Sequence, residues 1–367
     1  MTTGFFWDER CFWHSGGQYA LTMPVGGFVQ PMAGGLAESP ETKRRMKNLM
    51  DVSGLSAQLD LRSAPPADEE VLLRVHPKFY LNEFKDLSDA DGGEMGHHAP
   101  FGKGSFEIAA LSAGLATEAV RTVLAGELNN AYALSRPPGH HCLPDGPQGF
   151  CLLANIAIAI EAARAANPGL RVAVIDWDVH HGNGTEAIFY NRSDTLTISL
   201  HQEGNYPMHS GGVADRGIED GEGFNINLPM LAGSGHAEYL HAITRIVDPA
   251  LRAFKPDLIV VACGFDAATP DPLSTMQATA ETYHDLTNMM KEIAADLCDG
   301  KLVLVHEGGY SEAYVPFCGH ATMQALSGSD IFVADPLGVS FAHRQPNPRF
   351  SDYLFSEINS MAVALGL

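Results

Sequence analysis

Three short runs constrain this chain most: RVAVID at residues 171–176, LIVVAC at 258–263 and KLVLVH at 301–306 are apolar and largely β-branched, without polar alternation. A strand with one wet face alternates apolar and polar side chains. A run that does not alternate is buried on both faces, as in a parallel sheet sandwiched between helices. FFWDER near the start and TLTISL at 195–200, ending at His201, add further strand candidates. Helical patterning recurs between them, at 39–54, 106–125, 150–166, 235–254 and 278–297. In the first of these, Ser39 is placed to cap, Pro40 to open the first turn and Gly54 to stop the helix. Strands alternating with helices specify an α/β chain with a parallel sheet covered on both faces.

The ends of these strands carry groups that do not belong in a core. After RVAVI comes DWDVHHGNGTEAIFY, residues 176–190. If the segment stays extended, Asp176, Asp178 and His180 share one face while Trp177 and Val179 take the other. LIVVACGFD ends on Asp266, with Gly264 allowing a close approach; KLVLVHEGGY ends on Tyr310; YALSRPPGHH ends on the pair His140 and His141. Alone, a strand-end Asp or His commonly caps a helix or satisfies loop amides. Several of them on the carboxyl edge of one sheet, where open α/β sheets bind ligands, point to a shared site. On the face that Asp176, Asp178 and His180 share, two metal ligands can sit two residues apart, and Asp266 is the natural third.

Composition sets the bounds. The 367 residues, 45% of them hydrophobic, show no repeat, linker or low-complexity segment, so one domain over 1–367 is expected. The net charge of −21, without a basic stripe, excludes nucleic acid as partner. No run of 18 apolar residues and no basic, apolar leader occurs, so no membrane span is expected and the cytoplasm is the expected compartment. Six cysteines without a CxxC pair read as buried thiols, with Cys142 nearest the histidine pair. Loops 16–35, 89–104 and 202–223 are expected to rim the site. The first, with Phe28, Val29 and Met32, is also expected to meet a neighbouring subunit if the chain forms a homo-oligomer.

Taken in order, Pro137-Pro138-Gly139-His140-His141, Gly149-Phe150, Asp176-Trp177-Asp178-Val179-His180-His181-Gly182-Asn183-Gly184-Thr185, Gly264-Phe265-Asp266 and Glu307-Gly308-Gly309-Tyr310 resemble the zinc-dependent histone deacetylases, over about residues 5–330. The likeness is greatest to the bacterial class II, histone-deacetylase-like amidohydrolases. It implies an arginase/deacetylase-type three-layer α/β/α sandwich with a central, mostly parallel eight-stranded sheet.

The resemblance also implies roles. Asp178, His180 and Asp266 would hold Zn2+, although oxygen-rich ligation also suits Fe2+ or Co2+. Such an ion polarises the amide carbonyl and acidifies water. His141 would be the general base and His140 its electrostatic partner, oriented by Asn183 and Asp176 respectively; the residues alone leave the division of labour open. Tyr310 would donate to the oxyanion. Gly149, Phe150 and Tyr206 would wall a tunnel for the acylated side chain. A structural K+ is implied near Asp176, Asp178, His180, Ser199 and Leu200.

The function expected is metal-dependent hydrolysis of acyl groups from lysine side chains of proteins or peptides. Acetylated polyamines are the alternative; relatives that select them carry an acidic residue where this chain has Leu273, and Leu273 tilts the reading toward acyl-lysine. A noncatalytic acyl-lysine binding protein would be expected to lack Tyr310, one histidine of the pair or a ligand, and all are present.

Overall fold

The computed structural model describes residues 2–367. Its centre is an eight-stranded sheet formed by β1 (Thr3–Phe6), β2 (Asp60–Arg62), β3 (Asn130–Ala133), β4 (Val172–Asp176), β5 (Thr195–Gln202), β6 (Asn225–Met230), β7 (Leu258–Cys263) and β8 (Leu302–His306). Their spatial order is β6-β5-β4-β7-β8-β3-β1-β2, and every pairing is parallel. The expectation of a mostly parallel sheet is thus met in full. β4, β7 and β8 are buried at every position, as their unbroken apolar runs require.

The main helices are α1 (Glu41–Ser53), α2 (Ser105–Leu124), α3 (Asn155–Ala166), α4 (Asn183–Phe189), α5 (Ala280–Cys298), α6 (Val315–Ser327) and α7 (Pro348–Leu365). The chain steps along the sheet in one direction through α2, α3 and α4 and in the opposite direction through α5. Because parallel crossovers are right-handed, that reversal puts α2 and α3 on one face and α5 on the other. α2 packs on α3, while α1 and α5 pack on α6.

The reversal fixes where a ligand can sit. From β4 the chain continues outward to β5 and β6, and then returns to pair β7 with the opposite edge of β4. The crevice beyond the carboxyl ends of β4 and β7 is therefore a topological switch point, and both acidic motifs lead into it.

Some local expectations are corrected. β4 stops at Asp176, so Asp178 and His180 stand on an irregular segment and not on a continued strand. The helix expected over 150–166 begins at Asn155, because Phe150 has a left-handed backbone (φ 65°) that no helix accepts. The expected helix 235–254 contains a π-helical turn, Ile243–Val247. Pro40 precedes α1, whose first residue is Glu41, and Ser39 Oγ accepts the Glu41 N–H at 3.2 Å. Gly54 (φ 89°) ends that helix as expected.

Candidate active site

Asp178, His180 and Asp266 meet at the switch point. His180 Nδ1 lies 3.1 Å from Asp178 Oδ1 and 3.0 Å from Asp266 Oδ2, and the donor atoms of the three residues fall within 4.8 Å of one another. Backbone amides aim both carboxylates: Val179 N–H donates to Asp266 Oδ1 (2.8 Å), His180 N–H to Asp178 Oδ1 (2.9 Å) and Gly308 N–H to Asp178 Oδ2 (2.8 Å). Both carboxylates are fully buried. Burial raises the Asp266 carboxyl to about 6, with the neighbouring Asp178 charge adding to it. His180 sits near 10: burial pulls it down, and the carboxylates of Asp266 and Asp178 more than reverse that. Two buried carboxylates and an imidazole with no Lys or Arg among them form a donor set suited to a divalent cation. The space is guarded as well, since a Cβ on Gly308 would lie 2.2 Å from Asp266 Oδ2, 2.7 Å from Asp178 Oδ2 and 3.0 Å from the Tyr310 hydroxyl. A metal fits these residues, and a methyl group would fill its place.

The two histidines beside this cradle have different partners. His140 Nδ1–H donates to Asp176 Oδ2 (2.9 Å), and its Nε2 faces Asp178 Oδ1 at 3.8 Å. Burial lowers its basicity, but Asp178 and Asp176 outweigh burial and hold it well above its ordinary value. His141 Nδ1 lies 2.8 Å from Asn183 Oδ1, and Asn183 Nδ2 donates to Gln148 Oε1 (2.8 Å). That second bond turns the carboxamide oxygen toward His141, so Nδ1 carries the hydrogen and Nε2 keeps its lone pair. Burial, then the charges of His140 and His180, push His141 well below its ordinary range.

The glycines of the Glu307–Tyr310 motif let its backbone wrap the cradle. Glu307 Oε2 accepts from Gly139 N–H (2.6 Å) and His140 N–H (3.1 Å) and so fixes the turn that presents the histidine pair. Asp271 accepts from Tyr310 N–H (2.8 Å) and Leu273 N–H (2.9 Å). From the sequence, Glu307 stood out only as part of the motif that ends on Tyr310, and Asp271 did not stand out at all. Their signal was an acidic residue inside a glycine or proline turn, which does not say which amide it serves.

Above the cradle opens a pocket of about 340 Å³ lined by His141, Gly149, Phe150, His180, Tyr206, Leu273 and Tyr310, with Thr22, His97, His98, Asn205 and Met208 toward the mouth. Phe150 and Tyr310 pack edge to face with centroids 5.8 Å apart; Tyr206 meets His141 edge-on at 5.0 Å. All three long loops contribute: Thr22 from 16–35, His97 and His98 from 89–104, and Asn205, Tyr206 and Met208 from 202–223. Asp176 pairs in register with Ser199 across β4 and β5, next to Leu200. Cys142 is a correction: its thiol points to the Leu143 and Gly146 carbonyls, whereas Cys151 Sγ takes the His141 N–H at 3.4 Å.

This constellation lies beyond the strand ends of an all-parallel eight-stranded sheet, and comparison with known proteins assigns the chain to a family. The model of the histone deacetylase domain matches residues 36–326. The chain is 58% identical over 366 residues to a histone deacetylase-like amidohydrolase of Pseudomonas aeruginosa, covering 100% of this chain and 96% of that protein. It is 34% identical to the chloroplastic histone deacetylase 14 of Arabidopsis thaliana over 80% of this chain and 72% of the relative. The crystal structure of the HDA15 HD domain superposes with a TM-score of 0.81 at 29% identity, covering 100% of this chain and 97% of that one. The chain belongs to the histone deacetylase family, a generally metal-dependent family, and is by class a hydrolytic deacetylase. Among the described residues no helix is long and apolar enough to cross a membrane.

Proposed function

We propose that the chain is a zinc-dependent deacylase that removes acetyl or other acyl groups from lysine side chains, working as one catalytic domain over residues 1–367 in the cytoplasm. The observation that carries this reading is the convergence of Asp178, His180 and Asp266 at the base of the pocket that Phe150, Tyr206 and Tyr310 line. Zn2+ would be held by those three side chains, and Fe2+ or Co2+ would suit the same oxygen-rich set. When bound, the ion supplies Lewis acidity toward the amide carbonyl and the attacking water.

The chain's own groups do the rest. His141, with its hydrogen held on Nδ1 by Asn183, offers Nε2 to accept the proton of the water and to pass it to the leaving amine. His140, paired with Asp176, keeps positive charge beside the reacting carbon. Tyr310 donates its hydroxyl to the developing oxyanion, and its backbone is pinned by Asp271 so that the donor needs no reorganisation. The aromatic walls clamp an apolar four-carbon stem and exclude water. A structural K+ at Asp176, Asp178, His180, Ser199 and Leu200 is supported by the in-register pairing of Asp176 with Ser199.

The test is kcat/KM of metal-stripped and zinc-reconstituted protein on acetyl-lysine peptides, longer acyl-lysine peptides and N-acetylated polyamines. Zinc-restored turnover with preference for the peptides is expected. Preference for polyamines would move the substrate class, and full turnover after stripping would overturn the metal mechanism.

A further inference from the structure

Both aromatic walls of the pocket hang on one hairpin. Strand pairing of Gly92–Glu94 with Pro100–Gly102 forms it, and its tip carries His97 and His98. The His97 carbonyl accepts the Gly149 N–H (3.0 Å) and the next carbonyl, of His98, accepts the Phe150 N–H (2.7 Å). These bonds hold left-handed backbone at Gly149 (φ 51°), Phe150 (φ 65°) and His98 (φ 56°), a conformation that Phe and His adopt only when their surroundings impose it. The opposite wall reaches the same acceptor: the Tyr206 hydroxyl donates to the His97 carbonyl at 3.2 Å, with its ring stacked 5.8 Å from the His97 ring. Below, Tyr206 is fixed by its own backbone, since His181 N–H donates to the Tyr206 carbonyl (3.0 Å) and Ser210 Oγ to the Pro207 carbonyl (2.8 Å).

We propose that the Tyr206 hydroxyl is a clasp between the two walls, and that Tyr206 is thereby a specificity-determining residue that sets how wide an acyl-lysine the tunnel admits. This rests on the acyl-lysine reading above. A phenylalanine would fill the same wall by apolar contact but would leave it untied from the hairpin. The hairpin, with Gly149 and Phe150 still bonded to it, would then shift away from the Tyr206 wall with no tie to that wall to break, and bulkier acyl groups would enter.

Tyr206→Phe isolates the clasp because it removes one oxygen. In the zinc-loaded full chain, the ratio of kcat/KM for acetyl-lysine to that for hexanoyl-lysine peptide is expected to fall by about 3- to 10-fold, the range of one modest hydrogen bond, mainly through a lower KM for the hexanoyl substrate. Amide hydrogen exchange in the metal-free protein gives a readout independent of turnover, and faster exchange at Gly149 and Phe150 and across residues 92–102 is expected. An unchanged acyl ratio overturns the specificity role, whatever exchange shows. Unchanged exchange overturns the clasp. Wild-type protein inactive on every acyl-lysine would instead overturn the reading beneath it, and exchange would still decide whether the clasp exists.

Discussion

The floor of the pocket and its rim are built by different means. On the floor, Asp176, Asp178, Asp266 and Glu307 each have a carboxylate oxygen fixed by a backbone N–H from strand ends or the turns just after them. At the rim, Thr22, His97, Asn205 and Met208 come from separate long loops joined by a few hydrogen bonds, such as Asn205 Nδ2 to the Leu273 carbonyl at 3.0 Å. A buried backbone amide has no water to fall back on, so floor geometry is enforced by the whole sheet. Rim geometry is enforced only locally. The floor should therefore answer substitution in turnover and metal, and the rim in choice of substrate.

The strongest way to break this contrast is on the floor. Asp178→Asn removes the charge of a proposed ligand while keeping its shape and one amide acceptor. It is expected to abolish both turnover and bound zinc, measured by metal analysis of the folded protein. Retained zinc with lost turnover would show that Asp178 is not a ligand. Tyr310→Phe comes next. Loss of an oxyanion donor typically lowers kcat by about 10²–10³, and here KM should hold because the ring still packs on Phe150. A drop carried by KM would move Tyr310 from the floor's chemistry to the rim's fit.

His76 joins the two regions and gives a pH prediction. Its Nδ1–H donates to the Pro144 carbonyl (2.7 Å) and its Nε2 accepts the Ala154 N–H (3.0 Å), bracketing the segment that carries Gly149 and Phe150. Burial lowers its folded-state pKa to about 4. A base with a depressed folded value is protonated first in the unfolded chain. The stability it confers is complete above the unfolded value near 6.5 and is lost as pH falls from there toward 4, by on the order of 3 kcal/mol. His14, lowered by burial to about 3, acts in the same direction. Melting temperature should fall between pH 7 and 4, less steeply in His76→Gln; equal slopes would show that His76 does not drive it.

The floor was legible in the sequence and the rim only in outline, for a physical reason. A buried parallel strand has an unmistakable pattern, and its end must face the ligand edge, so Asp178, His180, Asp266 and Tyr310 could be placed together from RVAVID, LIVVAC and KLVLVH, and His140 and His141 with them from YALSRPPGHH. Asp271 and Glu307 went unread because each serves backbone amides, and nothing in a sequence names the amide. Phe150 was assigned to a helix because FCLLANIAIAI is apolar at helical spacing, yet its φ is dictated by the hairpin carbonyl that takes its N–H. Cys142 and Cys151 show the same limit: both lie in buried turns, and only the folded backbone decides which thiol faces His141.

The smallest expected effect belongs to the rim and sharpens the contrast most. Leu273 is half-buried at the pocket, and its N–H is already taken by Asp271, so Leu273→Glu changes the side chain without freeing the backbone. A carboxylate there would face the second ammonium of an N-acetylated polyamine. Because the pair would be wet, it is worth about 0.2–1 kcal/mol, a gain of up to about fivefold in kcat/KM that weakens as salt screens it. Activity on acetyl-lysine peptide should fall little, since the cradle, the histidine pair and Tyr310 lie below. A large loss of kcat on both substrates would mean that the Asp271 link carries strain from Leu273 to Tyr310, and that floor and rim are one unit at this corner.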